Sequence, residues 1–175
     1  MNSFQDLIIR RRSIRKYGEA RLSEDAVRKL LEAALLAPTS KNARSWHFTV
    51  VDDKERLEAL SKCKPMYATS IARSALSIVV SADPAVSDVW VEDASVAAAY
   101  IQLQAEDLGL GSCWIQVRNR MHDEETTASE WIKDLLGIDG SQQVVCVISV
   151  GEKAEERKLQ NMEKLQWEKV SVVSD

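Results

Sequence analysis

Apolar positions follow two regimes along this chain, and each predicts its own kind of element. In the first, apolar residues recur every three or four positions, the spacing of a helix face. "SFQDLIIRRRS" puts Phe4, Leu7 and Ile8 on one face behind Ser3 as N-cap. "LSEDAVRKLLEAALLAP" is the clearest helix. Ser23 is its N-cap, Glu24 and Asp25 sit in the first turn where the dipole favours anions, and Leu22 and Val27 hold the staple positions. Val27, Leu30, Leu31, Ala34 and Leu35 form its inward stripe, and Pro38 ends it because a residue before proline avoids helical geometry. "DKERLEALSKC" predicts a short helix with Leu57 and Leu60 inward. Asp88 is placed to cap a long helix, "VWVEDASVAAAYIQLQAEDLGLG", with Gly109 just past its end. Its small face of Ala94, Ala97, Ala98 and Ala105 suits close packing against another helix. "EWIKDLLG" is the last helical stretch.

The second regime is short runs of β-formers: Trp46–Val51, "ALSIVVSAD", "SCWIQV" (Ser112–Val117) and "QVVCVISV" (Gln143–Val150). Asp83-Pro84 ends the second run and Gly151 closes the last. Helices and strands mix without a regular βαβ repeat, which predicts an α+β fold rather than a doubly wound sheet. A polar loop, Thr39–Ser45, leads into the first strand. Beyond Glu152 the chain turns polar, yet Leu159, Met162, Leu165, Trp167 and Val170 punctuate it. A solvated tail has little use for a tryptophan, so this tail is expected to pack on another surface, such as a second subunit.

Composition narrows the function classes. A chain of 175 residues suits one domain, 1–175. With 23 Lys+Arg against 27 Asp+Glu, the net charge of -4 argues against a general nucleic-acid binder and makes any basic run a local feature. The first apolar residues precede the positive charges and no cleavage signal follows, so no signal peptide is expected, and no apolar run is long enough to span a membrane. Three cysteines without a CxxC give neither a disulfide scaffold nor a zinc site, and point to a reducing cytoplasm.

Three stretches could carry chemistry. "RRRSIRKYG" concentrates Arg10, Arg11, Arg12, Arg15 and Lys16. It reads either as a solvated helix end complementing the dipole, or as a phosphate clamp in which planar arginine forks and Ser13 meet phosphate oxygens. In an extended exit, Arg11, Ser13 and Arg15 would point to one side. "APTSKNARSW" offers donors at Thr39, Ser40, Lys41, Asn42 and Arg44 with no intervening acid, and reads equally as an ordinary polar loop. In "EDLGLGSCWIQ", Gly109-x-Gly111 lacks the third glycine of a dinucleotide fingerprint and reads as a helix cap followed by a tight turn. His47 and His122 lack metal-ligand spacing, Cys113 and Cys146 read as core, and no G-x-S-x-G elbow is present. No catalytic side-chain constellation emerges, so an enzyme of this sequence would lean on a cofactor.

These stretches in this order, with "VVCVISVGEKAEERK" after them, resemble the nitroreductase family of flavin enzymes from about Phe4 to Trp167. The resemblance implies a nitroreductase-like fold, a central, mainly antiparallel sheet flanked by helices. It implies an interlocked homodimer that exchanges its C-terminal arm (152–175) and binds FMN at the subunit interface. Arg11, Arg12, Ser13 and Arg15 would hold the phosphate and ribityl chain. Pro38, Thr39, Ser40 and Asn42 would reach over the flavin from the other subunit. Trp114, Ile115 and Gln116 would run along the isoalloxazine, with the Gln116 N–H near flavin N5. A basic residue after the last strand, Lys158 with Arg157 and Lys153 as rivals, would complete the phosphate site. Arg10 and Lys16 are left as solvated charge, and the helix of small residues from Val89 to Leu108 would supply a dimer seam.

The implied activity is hydride transfer from NADH or NADPH and ping-pong reduction of a small electron-poor acceptor, such as a nitroaromatic or a quinone. No metal or essential acid or base is involved. The loop Arg118–Ser129 would flank the substrate pocket, or is simply solvated. Flavin fragmentation, dehalogenation and enone reduction are alternatives on the same architecture, and a non-enzymatic flavin- or anion-binding module is another. Two departures stand out. Ser45 replaces a proline common before the family's tryptophan, which would loosen the loop. "KPMYATSIARSA" (Lys64–Ala75) shows no match to the Asn and Lys that touch the flavin pyrimidine in larger members.

Overall fold

Four strands, β1 (Trp46–Val51), β2 (Leu76–Ala82), β3 (Leu110–Gln116) and β4 (Gln143–Glu152), form one antiparallel sheet in the order β1-β2-β4-β3, with helices on both faces. The structure, a computed structural model, describes residues 3–174. In chain order the elements are α1 (Phe4–Arg10), α2 (Glu24–Leu35), β1 (Trp46–Val51), α3 (Lys54–Leu60), β2 (Leu76–Ala82), α4 (Trp90–Asp107), β3 (Leu110–Gln116), α5 (Ala128–Leu136) and β4 (Gln143–Glu152). Short 3-10 turns lie at Ser40–Asn42, Met162–Lys164 and Trp167–Lys169. Among the described residues no helix is long and apolar enough to cross a membrane.

Both faces of the sheet are covered, which is why its central strands are apolar throughout rather than alternating. β2 is buried along its whole length. Leu76, Ile78, Val80, Ile148 and Val150 face α2 and α4, where Leu30, Ala34 and Ile101 meet them. Val79, Val147, Ile115 and Val117 face the other way, towards Leu57, Leu60 and Ile132. Ser3 caps α1 in a capping box with Asp6, and Ser23 caps α2 through the Ala26 N–H, as the sequence pattern predicts.

Several expectations are corrected. Leu35 is not part of the α2 stripe: it is 55% exposed, because α2 ends there and only Leu30 and Ala34 turn fully inward. Asp88 does not cap α4. The cap residue is Val89, whose N–H bonds the Ser87 hydroxyl at 3.3 Å, and Asp88 is exposed beside Lys41. The alanine face of α4 is consumed within the chain: Ala94, Ala97, Ala98 and Ala105 let α4 lie close against α2 and the sheet, and that face is not free to form a dimer seam. β3 starts at Leu110 and β4 runs to Glu152, so Gly111 and Gly151 lie inside strands rather than in a turn or past an end.

The reason is a close approach from the N-terminal segment. After α1 the chain lies beside β3, with Ser13 bridging Ser112 and Tyr17 bridging Lys153. A Cβ on Gly111 would stand 2.7 Å from Ile14 Cγ2, and one on Gly151 would stand 3.0 Å from Tyr17 Cβ. Only hydrogen in place of a side chain lets Ile14 and Tyr17 sit across these strand ends.

Candidate functional site

Ile14 anchors the basic segment. It is buried, and its N–H donates to the Ser112 carbonyl at 2.9 Å. The Tyr17 hydroxyl donates to the Ile14 carbonyl at 2.6 Å and lies 2.8 Å from Ser149 Oγ. Burial pushes the Tyr17 phenol far up, so it stays a neutral donor. With Ile14 turned inward, Arg11, Arg12 and Ser13 are half-buried along the outside of β3 and Arg15 is exposed. The segment is extended at this point, as a clamp requires, and is not the frayed end of a helix.

The chain beyond β4 crosses this segment. Glu155 Oε1 accepts the Arg15 N–H at 2.7 Å and the Lys16 N–H at 3.2 Å, and Glu155 Oε2 pairs with Arg157 at 3.0 Å. Lys153 pairs with both oxygens of the buried Glu106 at 2.8 and 2.9 Å. The Arg12 guanidinium donates to the Lys158 carbonyl. Of the three basic residues after β4, Lys158 is the one without an ion pair among the described residues. A cleft of about 520 Å³ opens here between Arg10, Arg12, Glu106, Lys153, Arg157 and Leu159.

Arg10 departs from the expectation of solvated charge. α1 lies against α4, and this carries Arg10 Nε to 3.9 Å from the carboxylate of Glu106, which is 6% exposed. Two guanidinium nitrogens, Nε and Nη2, are buried without a hydrogen-bond partner among the described residues. Lys16 is exposed, as expected.

β3 presents an open edge. Ser112 shows its carbonyl to Ile14, whereas the Val117 N–H bonds the Val145 carbonyl at 3.2 Å on the β4 side. Strand alternation then turns the backbone groups of Trp114 and Gln116 away from β4. Among the described residues no strand pairs with that edge. The Gln116 side chain is held in place: Trp114 Nε1 donates to its Oε1 and its Nε2 donates to the Arg118 carbonyl, both at 2.9 Å. Arg118 in turn lies 5.6 Å over the Trp90 ring. Ile115 contributes no side chain to this edge: it is 1% exposed in the core and pairs with Val147.

The Pro38–Asn42 loop lies elsewhere. It leads into β1, at the opposite edge of the sheet from β3. The buried Asp93 of α4 fixes it by accepting the Ser40 N–H at 2.9 Å. Lys41, Asn42 and Arg44 all adopt positive φ, and Arg44 Nε donates to Asn42 Oδ1 at 2.9 Å. Left-handed geometry at three non-glycine residues is strain of the kind that collects at binding sites. Ser45 is buried and its carbonyl accepts the Asp83 N–H at 3.0 Å, so the loop is tied down where the missing proline suggested slack.

No thiol here is poised to react. Burial raises the Cys63 thiol to about 11 and pushes Cys146 well up. Burial also raises Cys113, although Arg15, Lys64 and the Ser13 hydroxyl pull against it. A separate cleft of about 650 Å³ lies at the far end of the sheet from Gln116, among exposed charges that include Lys16, Arg21, Asp52 and Lys54.

Lys64 escaped the sequence reading. It follows the buried Cys63 after α3, and its ammonium donates to the Gln116 carbonyl at 3.0 Å, on the open edge of β3. Nothing in the spacing of its segment pairs position 64 with position 116.

Comparison with known proteins agrees with this picture. The nitroreductase family profile matches residues 8–83 and 66–152. A protein of Archaeoglobus fulgidus, provisionally named NADH dehydrogenase/NAD(P)H nitroreductase, is 38% identical over 155 residues, 86% of each chain. The structure of an FMN-dependent nitroreductase from Clostridium difficile R20291 is 47% identical and superposes with a TM-score of 0.94 over 97% of this chain and 98% of its own. A provisionally assigned nitroreductase of Desulfovibrio desulfuricans, solved in complex with FMN, shares the fold at 24% identity, with a TM-score of 0.76 over 98% of this chain and 99% of its own.

Proposed function

The chain belongs to the nitroreductase family, and from that premise we propose that it is an FMN-dependent oxidoreductase. It takes hydride from NADH or NADPH and reduces a small electron-poor acceptor, such as a nitroaromatic or a quinone, in a ping-pong cycle. The observation that carries this reading is the open edge of β3 lying beside the basic segment Arg11–Arg15.

The residues present suit FMN. Its phosphate needs several fixed donors; Arg11, Arg12, Ser13 and Arg15 lie along one extended segment beside β3, and the chain after β4 crosses that segment, with Arg12 on the Lys158 carbonyl, so Lys158 is the residue of the arm proposed to join them. A flavin ring edge carries alternating donors and acceptors, and the backbone of Trp114 and Gln116 offers both kinds to whatever lies along β3. FMN supplies the hydride chemistry when bound; the chain's own residues bind, orient and shape charge. Ile14 and Tyr17 fix the clamp, the Trp114–Gln116–Arg118 relay fixes the edge, and no side chain is required to carry a proton.

The site is proposed to be shared between two copies. The clamp and the Pro38–Asn42 loop lie at opposite edges of one sheet, about 14 Å apart at the usual strand spacing, so a homodimer is the arrangement in which both reach one ligand. The apolar residues of the arm, all exposed, are the surface proposed to grip the partner. The test is the visible spectrum of the purified protein, followed by anaerobic titration with NADH and with NADPH. A yellow protein that bleaches supports the reading and names the preferred donor. No bound flavin and no NAD(P)H oxidation after reconstitution with FMN would defeat it.

A further inference from the structure

We propose that the cleft at the far end of the sheet from Gln116 binds a phosphorylated sugar or a similar small polyol phosphate, at a site separate from the flavin clamp. Its volume of about 650 Å³ suits a small molecule. Three segments wall it: residues 16–21, the turn from Asp52 into α3, and residues 72–75 ahead of β2. Backbone bonds hold each wall. The Lys16 carbonyl accepts the Ala154 N–H, and the Gly18 N–H donates to the Glu152 carbonyl, both at 3.0 Å. Asp53 caps α3 by accepting the Arg56 N–H at 2.9 Å, and the Ala75 N–H donates to the Val150 carbonyl at 3.0 Å. Ala20, Ala72 and Ala75 line the cleft with side chains too short to fill it.

The walls are fixed, but their charges are unmatched. Lys16, Arg21, Lys54 and Arg73 line the cleft and are exposed, and among the described residues none of these four cationic heads makes a hydrogen bond or an ion pair. Glu58 is turned to Lys62 at 3.7 Å, which leaves Glu19 and Asp52 as the unpaired acids of the lining. The cleft thus holds two more positive than negative charges, in a chain whose net charge is -4. Such a local surplus draws anions. A phosphate monoester carries about two negative charges at neutral pH and suits arginine forks and lysine heads. Glu19 and Asp52 repel a bare anion, yet an ionised carboxylate accepts hydrogen bonds, so both are suited to hydroxyl donors. A phosphate on a small hydroxylated carbon body meets both needs at once.

The experiment titrates the full chain, with FMN present in excess, by calorimetry against glucose 6-phosphate, inorganic phosphate and glucose. Glucose 6-phosphate should bind saturably, inorganic phosphate more weakly, and glucose without its phosphate not at all. Arg21→Gln and Arg73→Gln should each weaken glucose 6-phosphate by about tenfold, the loss expected for one charge-assisted hydrogen bond. Arg56→Gln removes the same charge from α3 outside the lining, and should change the affinity by less than about twofold because salt screens distant surface charges. Arg11→Ala opens the flavin clamp and should leave glucose 6-phosphate binding as in wild type. No saturable binding below about 10 mM overturns the inference. So does inorganic phosphate binding as tightly as glucose 6-phosphate, or an equal loss in Arg56→Gln. A loss in Arg11→Ala with none in Arg73→Gln would place the ligand at the clamp and overturn it as well. None of these outcomes bears on whether the chain binds FMN, which the visible spectrum reads separately.

Discussion

β4 and the arm that follows it are one continuous stretch of chain, and both are rich in apolar residues. From Val144 to Gly151 every residue is buried; from Leu159 to Ser174 every residue is exposed. The difference lies in neighbours, not composition. β4 has β2 on one side, β3 on the other and helices on both faces. The arm touches its own chain lightly: the Gln160 N–H bonds the Ile9 carbonyl at 3.0 Å, and Arg12 reaches the Lys158 carbonyl. Trp167 remains 69% exposed. Exposed apolar surface of this extent marks a surface that awaits a partner. Burial in β4 is thus a property of the fold, and burial in the arm is proposed to be a property of the assembly.

The sharpest way to test that contrast is to weaken each region separately. Ile148→Ala removes a fully buried side chain between two strands, and is expected to cost about 2–5 kcal/mol of stability. Urea denaturation at two protein concentrations should give the same loss at both, because the cavity forms within one chain. Trp167→Ala should behave in the opposite way. Secondary structure by circular dichroism stays unchanged, while sedimentation shows dimer association weakened by about 2–4 kcal/mol, the range for a buried aromatic anchor. Association that survives the loss of Trp167 would remove the arm from the dimer interface.

A third test lies where the two regions meet at the proposed phosphate site. Arg11→Ala or Arg15→Ala should weaken FMN binding by about 1.5–3 kcal/mol, the range for a charge-assisted hydrogen bond. Lys158→Ala should cost less, since its side chain hangs from the exposed arm. FMN titration by fluorescence quenching measures all three. Equal losses at Arg11 and Lys158 would mean that the arm is as well ordered at the site as the strand edge.

What the sequence made legible was local. Helix starts at Ser3 and Ser23, the bounds of β1, and inward Leu57 and Leu60 follow from caps and periodicity alone. The features that escaped depend on residues distant in sequence. Gly111 looked like part of a turn because its constraint comes from Ile14, and Arg10 looked solvated because Glu106 is far along the chain. The alanine face of α4 looked free because helix periodicity marks a packing face without naming its partner, which is α2 and the sheet. Lys64 was passed over because only the folded chain brings it to Gln116.

The smallest expected effect belongs to Glu155, the residue that joins strand to arm. Its carboxylate is held below the usual glutamate range, chiefly by the Arg15 N–H, with the Arg157 charge and the Lys16 N–H adding to it. A carboxyl whose folded pKa is depressed stabilises the fold while it is charged, and that contribution disappears as pH falls through the folded pKa. Glu155→Gln should therefore lower the melting temperature slightly at neutral pH. The gap from wild type should narrow as pH falls below the usual glutamate range and on through the depressed folded value. Melting curves of the two proteins across that range measure it. A gap that does not narrow at any pH below the usual glutamate range at which both proteins stay folded would mean that Glu155 acts through shape rather than charge, and that the crossing between arm and clamp is held by packing.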